Sequence, residues 1–147
     1  MGLIQNKKAY FDYEILEKIE AGIELLGFEV KSLKKGQGSL LGSHITIRGN
    51  EAYVINMEIP PYQVLNTPKE YDPKRNRKIL LNKKEITELA EFEKQKGLTI
   101  IPLSVYNKGR KLKIEIAVVR GKKKYDKRET IKKRDSEREI RRELKSS

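Results

Sequence analysis

Cysteine and tryptophan are absent from this sequence, and histidine occurs once, at His44. Without cysteine there is no disulfide framework, no thiolate zinc site and no thiol nucleophile. A lone histidine in a predicted strand, with no carboxylate placed to orient it, is a poor general base. GxSxG, P-loop, GxGxxG and HExxH patterns are also missing. Asp12, Glu14, Glu17 and Glu20 form an acidic run, but Asp12 and Glu14 at alternating spacing read more simply as the solvated face of a strand than as metal ligands. The residues thus predict no catalytic group, no metal and no cofactor. Apolar runs are short as well. None approaches the roughly 20 residues that cross a bilayer, and the opening MGLIQNKKAYFDYE lacks the apolar stretch of a secretory signal. A soluble, cytoplasmic protein with no membrane attachment is expected.

What the chain has in excess is positive charge. Its 147 residues carry 33 Lys and Arg against 21 Asp and Glu, a formal net of +12. Such an excess repels itself in a compact fold unless an anionic partner uses it, and nucleic acid is the commonest such partner. The charge is unevenly spread. From Gly121 to Ser147, 27 residues hold twelve basic and six acidic side chains, half the net charge of the chain. Their apolar members are Tyr125, Ile131, Ile140 and Leu144, too few to form a stripe that docks on a core. A boundary at Gly121 divides a body, residues 1–120, expected to be the nucleic-acid-binding domain, from a basic tail, residues 121–147.

The body reads as strand-dominated. Tyr10 to Ala21 mixes aromatic and β-branched residues with polar ones, as a half-buried strand does. A helical turn or two follows through Val30–Leu33. His44–Ile47 and Ala52–Ile55 flank Gly49-Asn50 and predict a hairpin. Residues 66–77 lack periodicity and predict an exposed loop. Asn82 has the character of an N-cap with Glu85 as its capping-box partner, and Gly97 closes the helix they open, near Asn82–Lys96. Thr99–Tyr106 and Lys111–Val119 form the clearest hairpin, with Leu112, Ile114 and Ile116 on one face. Several short antiparallel strands with one main helix predict a mainly β fold, a small closed or partly open barrel. Barrels of that size commonly offer a groove to single-stranded nucleic acid.

RNA-binding chemistry is well represented. Lys74, Arg75, Arg77 and Lys78 crowd the predicted loop, where cations neutralise phosphates and release counterions and the two arginines suit bidentate contacts. An ordinary solvated loop reads the same way. Tyr10, Phe11 and Tyr13 beside Lys7 and Lys8 offer stacking surfaces next to charge, or alternatively core packing. In the tail, Lys122, Lys123, Lys124, Lys127 and Arg128 surround Tyr125 and Asp126, and Lys132, Lys133 and Arg134 follow. With few stabilising i,i+4 pairs and no apolar face, this segment is expected to be unfolded alone and to become helical against RNA. A merely solubilising tail is the alternative.

Five collinear strings carry a resemblance over essentially the whole chain: NKKAYFDYEI (Asn6–Ile15), AGIELLGFEVKSLKKG (Ala21–Gly36), RKILLN (Arg77–Asn82), GLTIIPLSVY (Gly97–Tyr106) and GKKKYDKR (Gly121–Arg128). In order and spacing they resemble the SmpB family. The resemblance implies a small antiparallel OB-like barrel, similar to oligonucleotide-binding barrels, acting as an adaptor that binds the tRNA-like domain of transfer-messenger RNA and delivers it to stalled ribosomes for trans-translation. The tail would enter the empty mRNA channel near the decoding centre of the small subunit, with one monomer acting per RNA. Carried over residue by residue, it implies that Glu29, Leu80 and Asn82 contact RNA, with Glu29 alternatively orienting Lys31, and that Tyr125, Asp126, Lys127 and Arg128 serve the tail. Asn82 keeps its second reading as a helix cap. Met57–Tyr62 departs from the family pattern, as does the absence of tail tryptophan. A general single-stranded RNA-binding or ribosome-assembly protein is the alternative within binding modules, and an RNA-processing enzyme lies outside them.

Overall fold

The computed structural model describes residues 2–121; every expectation about the tail residues 122–147 lies outside them. Seven strands form one antiparallel sheet: β1 (Gly2–Gln5), β2 (Tyr13–Ile23), β3 (His44–Arg48), β4 (Glu51–Ile55), β5 (Arg77–Leu80), β6 (Leu98–Lys108) and β7 (Lys111–Gly121). Their order is β1-β6-β7-β2-β5-β4-β3, so the hydrogen-bonded ladder does not close. Three helices accompany it: α1 (Lys7–Asp12), α2 (Gly27–Lys34) and α3 (Lys83–Lys94). The sheet rolls until β3 approaches β6, and α3 packs against both, covering the seam that the ladder leaves open. Glu93 Oε2 of α3 accepts a 3.0 Å hydrogen bond from the Ile47 N–H on β3, one donor of the sheet's edge. The expected barrel is thus the partly open form.

Both predicted hairpins are present. Gly49 and Asn50 take φ of 54° and 63°, the left-handed pair that lets a two-residue turn match the twist of its strands. β6 and β7 pair from Leu98↔Arg120 to Lys108↔Lys111, with Gly109 at φ 63° in the turn. Pro102 cannot donate to a ladder, and it sits at a bulge of β6. Its carbonyl accepts instead from Asn6 Nδ2 at 3.1 Å.

The main core gathers Ala21, Leu33, Ile45, Val54, Ile79, Leu89, Ile114 and Ile116 inside the roll. A second cluster, Ala9, Ile101, Leu103, Ala117 and Val119, lies on the other face of β6 and β7. Strand β7 is therefore buried on both faces from Ile116 to Val119, and its alternation fades there. This second cluster explains a correction. Residues 10–12, expected in a strand, form the last turn of α1, because Ala9 docks on the cluster while the Asn6 N–H donates to the Leu103 carbonyl at 2.7 Å. Tertiary docking overrides the strand propensity of the aromatic residues here.

Candidate nucleic-acid interface

Glu29 sits in the first turn of α2, where its Oε1 accepts from the Leu26 N–H at 2.7 Å and closes the helix start. Burial would raise its pKa, but the Arg75 guanidinium, the Leu26 N–H and Arg77 outweigh it and bring the carboxyl down to about 2. Arg75 grips both oxygens, Nη2 to Oε1 at 2.5 Å and Nε to Oε2 at 3.0 Å. Arg77 Nε donates to Oε2 at 2.8 Å. Every hydrogen of the Arg77 guanidinium is placed: the remaining four go to the carbonyls of Met57, Arg75 and Pro73 and to the Tyr71 hydroxyl. That hydroxyl lies 2.8 Å from both Glu29 Oε2 and the Ile59 carbonyl, and its one hydrogen serves one of them at a time. Burial, followed by the Glu29 carboxylate, pushes its pKa up to about 12. The Tyr71 ring meets Phe28 edge-on, with centroids 4.7 Å apart.

Two sequence expectations change accordingly. Glu29 and Arg77 are 0% exposed, so neither presents a surface to a phosphate or a base. The loop at 66–77 is not uniformly solvated, because its last third folds inward to meet the Glu29 carboxylate. A charge excluded from water must be paired and hydrogen-bonded, and this network meets that condition on both sides. Arg75 is half-buried, with its Nη1 3.5 Å from the Asn76 carbonyl.

Exposed Lys74 and half-buried Lys78 face carboxylates, whereas Lys69, also in the loop, is exposed and in no ion pair among the described residues. Lys74 Nζ is 3.9 Å from Glu58, and Lys78 Nζ is 3.2 Å from Glu51. Hydrogen bonding from Tyr53 and then Lys78 lowers the Glu51 pKa, and Glu51 in turn raises that of Lys78.

Leu80 ends β5 and is 48% exposed, an apolar side chain at the rim of a groove of about 510 Å³ lined also by Ala52, Lys78, Lys83 and Ile86. Strand β2 passes beside it at Gly22, where a Cβ would lie 3.2 Å from both Cβ and Cδ1 of Leu80. Asn82, two residues on, caps α3 as expected: its Oδ1 accepts from the Glu85 N–H at 2.8 Å, and the Glu85 carboxylate accepts from the Asn82 N–H at 3.1 Å. The helix runs Lys83–Lys94, two residues shorter than expected at its C-terminal end, and Gly97 takes φ 86° in the turn that follows.

The sequence candidates of the first segment lie together elsewhere. Lys7, Lys8, Tyr10 and Phe11 line a groove of about 670 Å³ between α1 and β6. Tyr10 is 43% exposed, with the Lys18 ammonium 5.6 Å from its ring centroid. Lys31 is exposed on α2, 5.8 Å from the centre of the Tyr62 ring, and Lys35 shares that ring at 5.2 Å. The sequence reading passes over Tyr62, Tyr71, Lys35 and Glu51. Only the mismatch between the Glu29 charge and an RNA-contact role hints at the buried network. Among the described residues, no group of three or more His, Asp or Glu side chains is placed to hold a metal, and no helix is long and apolar enough to cross a membrane.

A family model described as SmpB protein matches residues 3–146. Proteins named SsrA-binding protein are similar over nearly the full chain. That of Caldicellulosiruptor bescii is 52% identical over 140 residues, 95% of this chain and 88% of the relative. That of Chlorobaculum tepidum is 53% identical over 138 residues, 93% and 87%. That of Oleidesulfovibrio alaskensis is 51% identical over 142 residues, 97% and 91%. A solved structure described as "tmRNA-SmpB: a journey to the center of the bacterial ribosome" contains a chain that superposes with a TM-score of 0.69 at 43% identity, covering 82% of this chain and 84% of that one. The match thus spans the sheet, the Glu29 network and the basic segment beyond Gly121 alike, and this chain belongs to the SmpB family.

Proposed function

We propose that this protein binds the tRNA-like domain of transfer-messenger RNA and delivers it to stalled ribosomes, where residues 122–147 occupy the empty mRNA channel near the decoding centre. The observation that carries this reading is the extent of the family match, residues 3–146, which joins the folded body and the basic extension in one unit. Relatives named for SsrA binding, and a solved chain described with tmRNA and the ribosome, support the same partners.

In this reading Leu80 and Asn82 form the recognition edge at the junction of β5 and α3, an apolar side chain beside an amide. Glu29 and Arg77 act as positioning residues: they hold the loop that leads into β5 and so fix where Leu80 emerges. Lys7, Lys8 and Tyr10 offer a second surface, across which cations and an aromatic ring suit single-stranded segments. The protein works as an adaptor, with the chemistry of tagging left to the ribosome.

Binding to transfer-messenger RNA measured against an equal mass of bulk tRNA at physiological salt tests the reading. A clear preference for the former is expected. Equal binding of the two would leave a general RNA-binding module in its place.

A further inference from the structure

Helix α2 and its C-cap carry cations of a different standing from those between Lys74 and Lys78. Lys74 faces Glu58, Arg75 and Arg77 face Glu29, and Lys78 faces Glu51. Lys31, Lys34 and Lys35 are exposed, and among the described residues none of them forms an ion pair. At i, i+3 and i+4 they lie on one side of the helix. The Tyr62 ring is within reach of two of them, its centre 5.8 Å from Lys31 Nζ and 5.2 Å from Lys35 Nζ. The two elements are fixed to each other: buried Ser32 on α2 donates through Oγ to the Pro60 carbonyl at 2.7 Å, two residues before Tyr62. Glu29, one turn earlier, anchors the same helix to the loop at 71–77. Lysines near a helix C-terminus also complement its dipole, which accounts for charge at this end. It does not account for an aromatic ring held against the same ammonium groups.

We infer that Lys31, Lys34 and Lys35, two of them held against Tyr62, form a phosphate-contacting surface of the folded body, engaging the sugar–phosphate backbone of a bound RNA. The inference rests on the RNA-binding reading above and places an electrostatic contact at the end of α2 instead of at Lys74–Lys78. An ammonium group already neutralised by a carboxylate gains little from a phosphate and releases no counterion. One without such a partner does both. Tyr62 keeps the Lys31 and Lys35 ammonium groups gathered through cation–π attraction, so their placement precedes the RNA.

The test uses the full chain and the tRNA-like domain of transfer-messenger RNA, with affinity measured between about 50 and 200 mM salt. Replacing all three lysines (Lys31→Gln, Lys34→Gln, Lys35→Gln) should lower the slope of log affinity against log salt by about two units, at roughly 0.7–0.9 per contact. The pair Lys74→Gln with Lys108→Gln, both carboxylate-matched, should change the slope by less than about half a unit on the same scale. Circular dichroism confirms that α2 persists in each variant. A slope that falls in the carboxylate-matched pair, or stays unchanged in the triple variant while binding persists, overturns this assignment and leaves the RNA-binding reading intact. Equal wild-type affinity for bulk tRNA overturns the proposed function, and the slopes measured on that tRNA then decide the α2 surface separately. Failure of the wild-type protein to bind either RNA overturns both.

Discussion

Arg77 Nε lies 2.8 Å from Glu29 Oε2, a contact between side chains that are both 0% exposed and 48 positions apart in sequence. It ties the first residue of β5 to the first turn of α2. Removing one member leaves a buried charge without its partner, which typically costs about 3–5 kcal/mol. Glu29→Ala should therefore lower stability by about that amount in chemical denaturation. RNA affinity should fall with it, through displacement of the 71–77 loop. A Glu29→Ala protein of unchanged stability that still loses RNA binding would make Glu29 a direct contact.

The same carboxylate makes stability depend on acid. Its folded pKa, about 2, lies below the ordinary carboxylate value of 4.5, so its contribution is full above the unfolded pKa and disappears as pH falls through the folded one. Wild type should lose on the order of 3 kcal/mol from this group between about pH 5 and pH 2. In Glu29→Gln that component of the pH dependence should be missing, although the protein is less stable at neutral pH. Denaturation midpoints at several pH values check both statements.

Asn82 has two roles that two substitutions separate. Asn82→Ala removes the acceptor for the Glu85 N–H and should cost about 1 kcal/mol. Asn82→Asp keeps the cap and places a negative charge where the helix dipole favours it, so its thermal midpoint should stay near wild type. If Asn82→Asp also binds the tRNA-like domain normally, the residue acts by shaping the start of α3. Weak binding at full stability would instead assign the amide to RNA.

A chain ending at Gly121 should remain folded, since it keeps all of β7 as described and every core residue found among the described residues. It should bind the tRNA-like domain within about twofold of the full chain's affinity, a difference of roughly 0.4 kcal/mol, and fail to support tagging on stalled ribosomes. Tagging at the full-length rate would reduce the basic extension to a solubilising one.

Local signals account for what the sequence makes legible. The Gly49-Asn50 turn, the Asn82–Glu85 capping box and the alternation from Leu112 to Ile116 each lie within a few residues of the element they specify. α1 is not legible, because the cause of its helicity, the seat for Ala9 on Leu103 and Val119, is about a hundred residues away. The burial of Arg77 is hidden for the same reason: in sequence it is one cation among several, and only the fold brings Glu29 to it. The candidate site divides likewise. Leu80 and Asn82 are found through motif resemblance, whereas Tyr62 and Lys35 meet only after α2 and the Pro60 segment have packed.

The pairing of β2 with β7 bears on how the chain acquires its shape. Tyr13 lies opposite Gly121 and Gly22 opposite Lys113, so the longest strand of the first half finds its full partner only in the last described strand. On an emerging chain β2 waits, with one long edge unmatched, until almost the whole body has been synthesised. Closure of so large a loop comes before the contacts that reward it, which places folding toward the slower, millisecond-to-second end for a domain of this size. The β3–β4 hairpin and α3 form from neighbouring residues and have no such delay. Folding of this body thus resembles a clasp, with its first and last long strands meeting at the end.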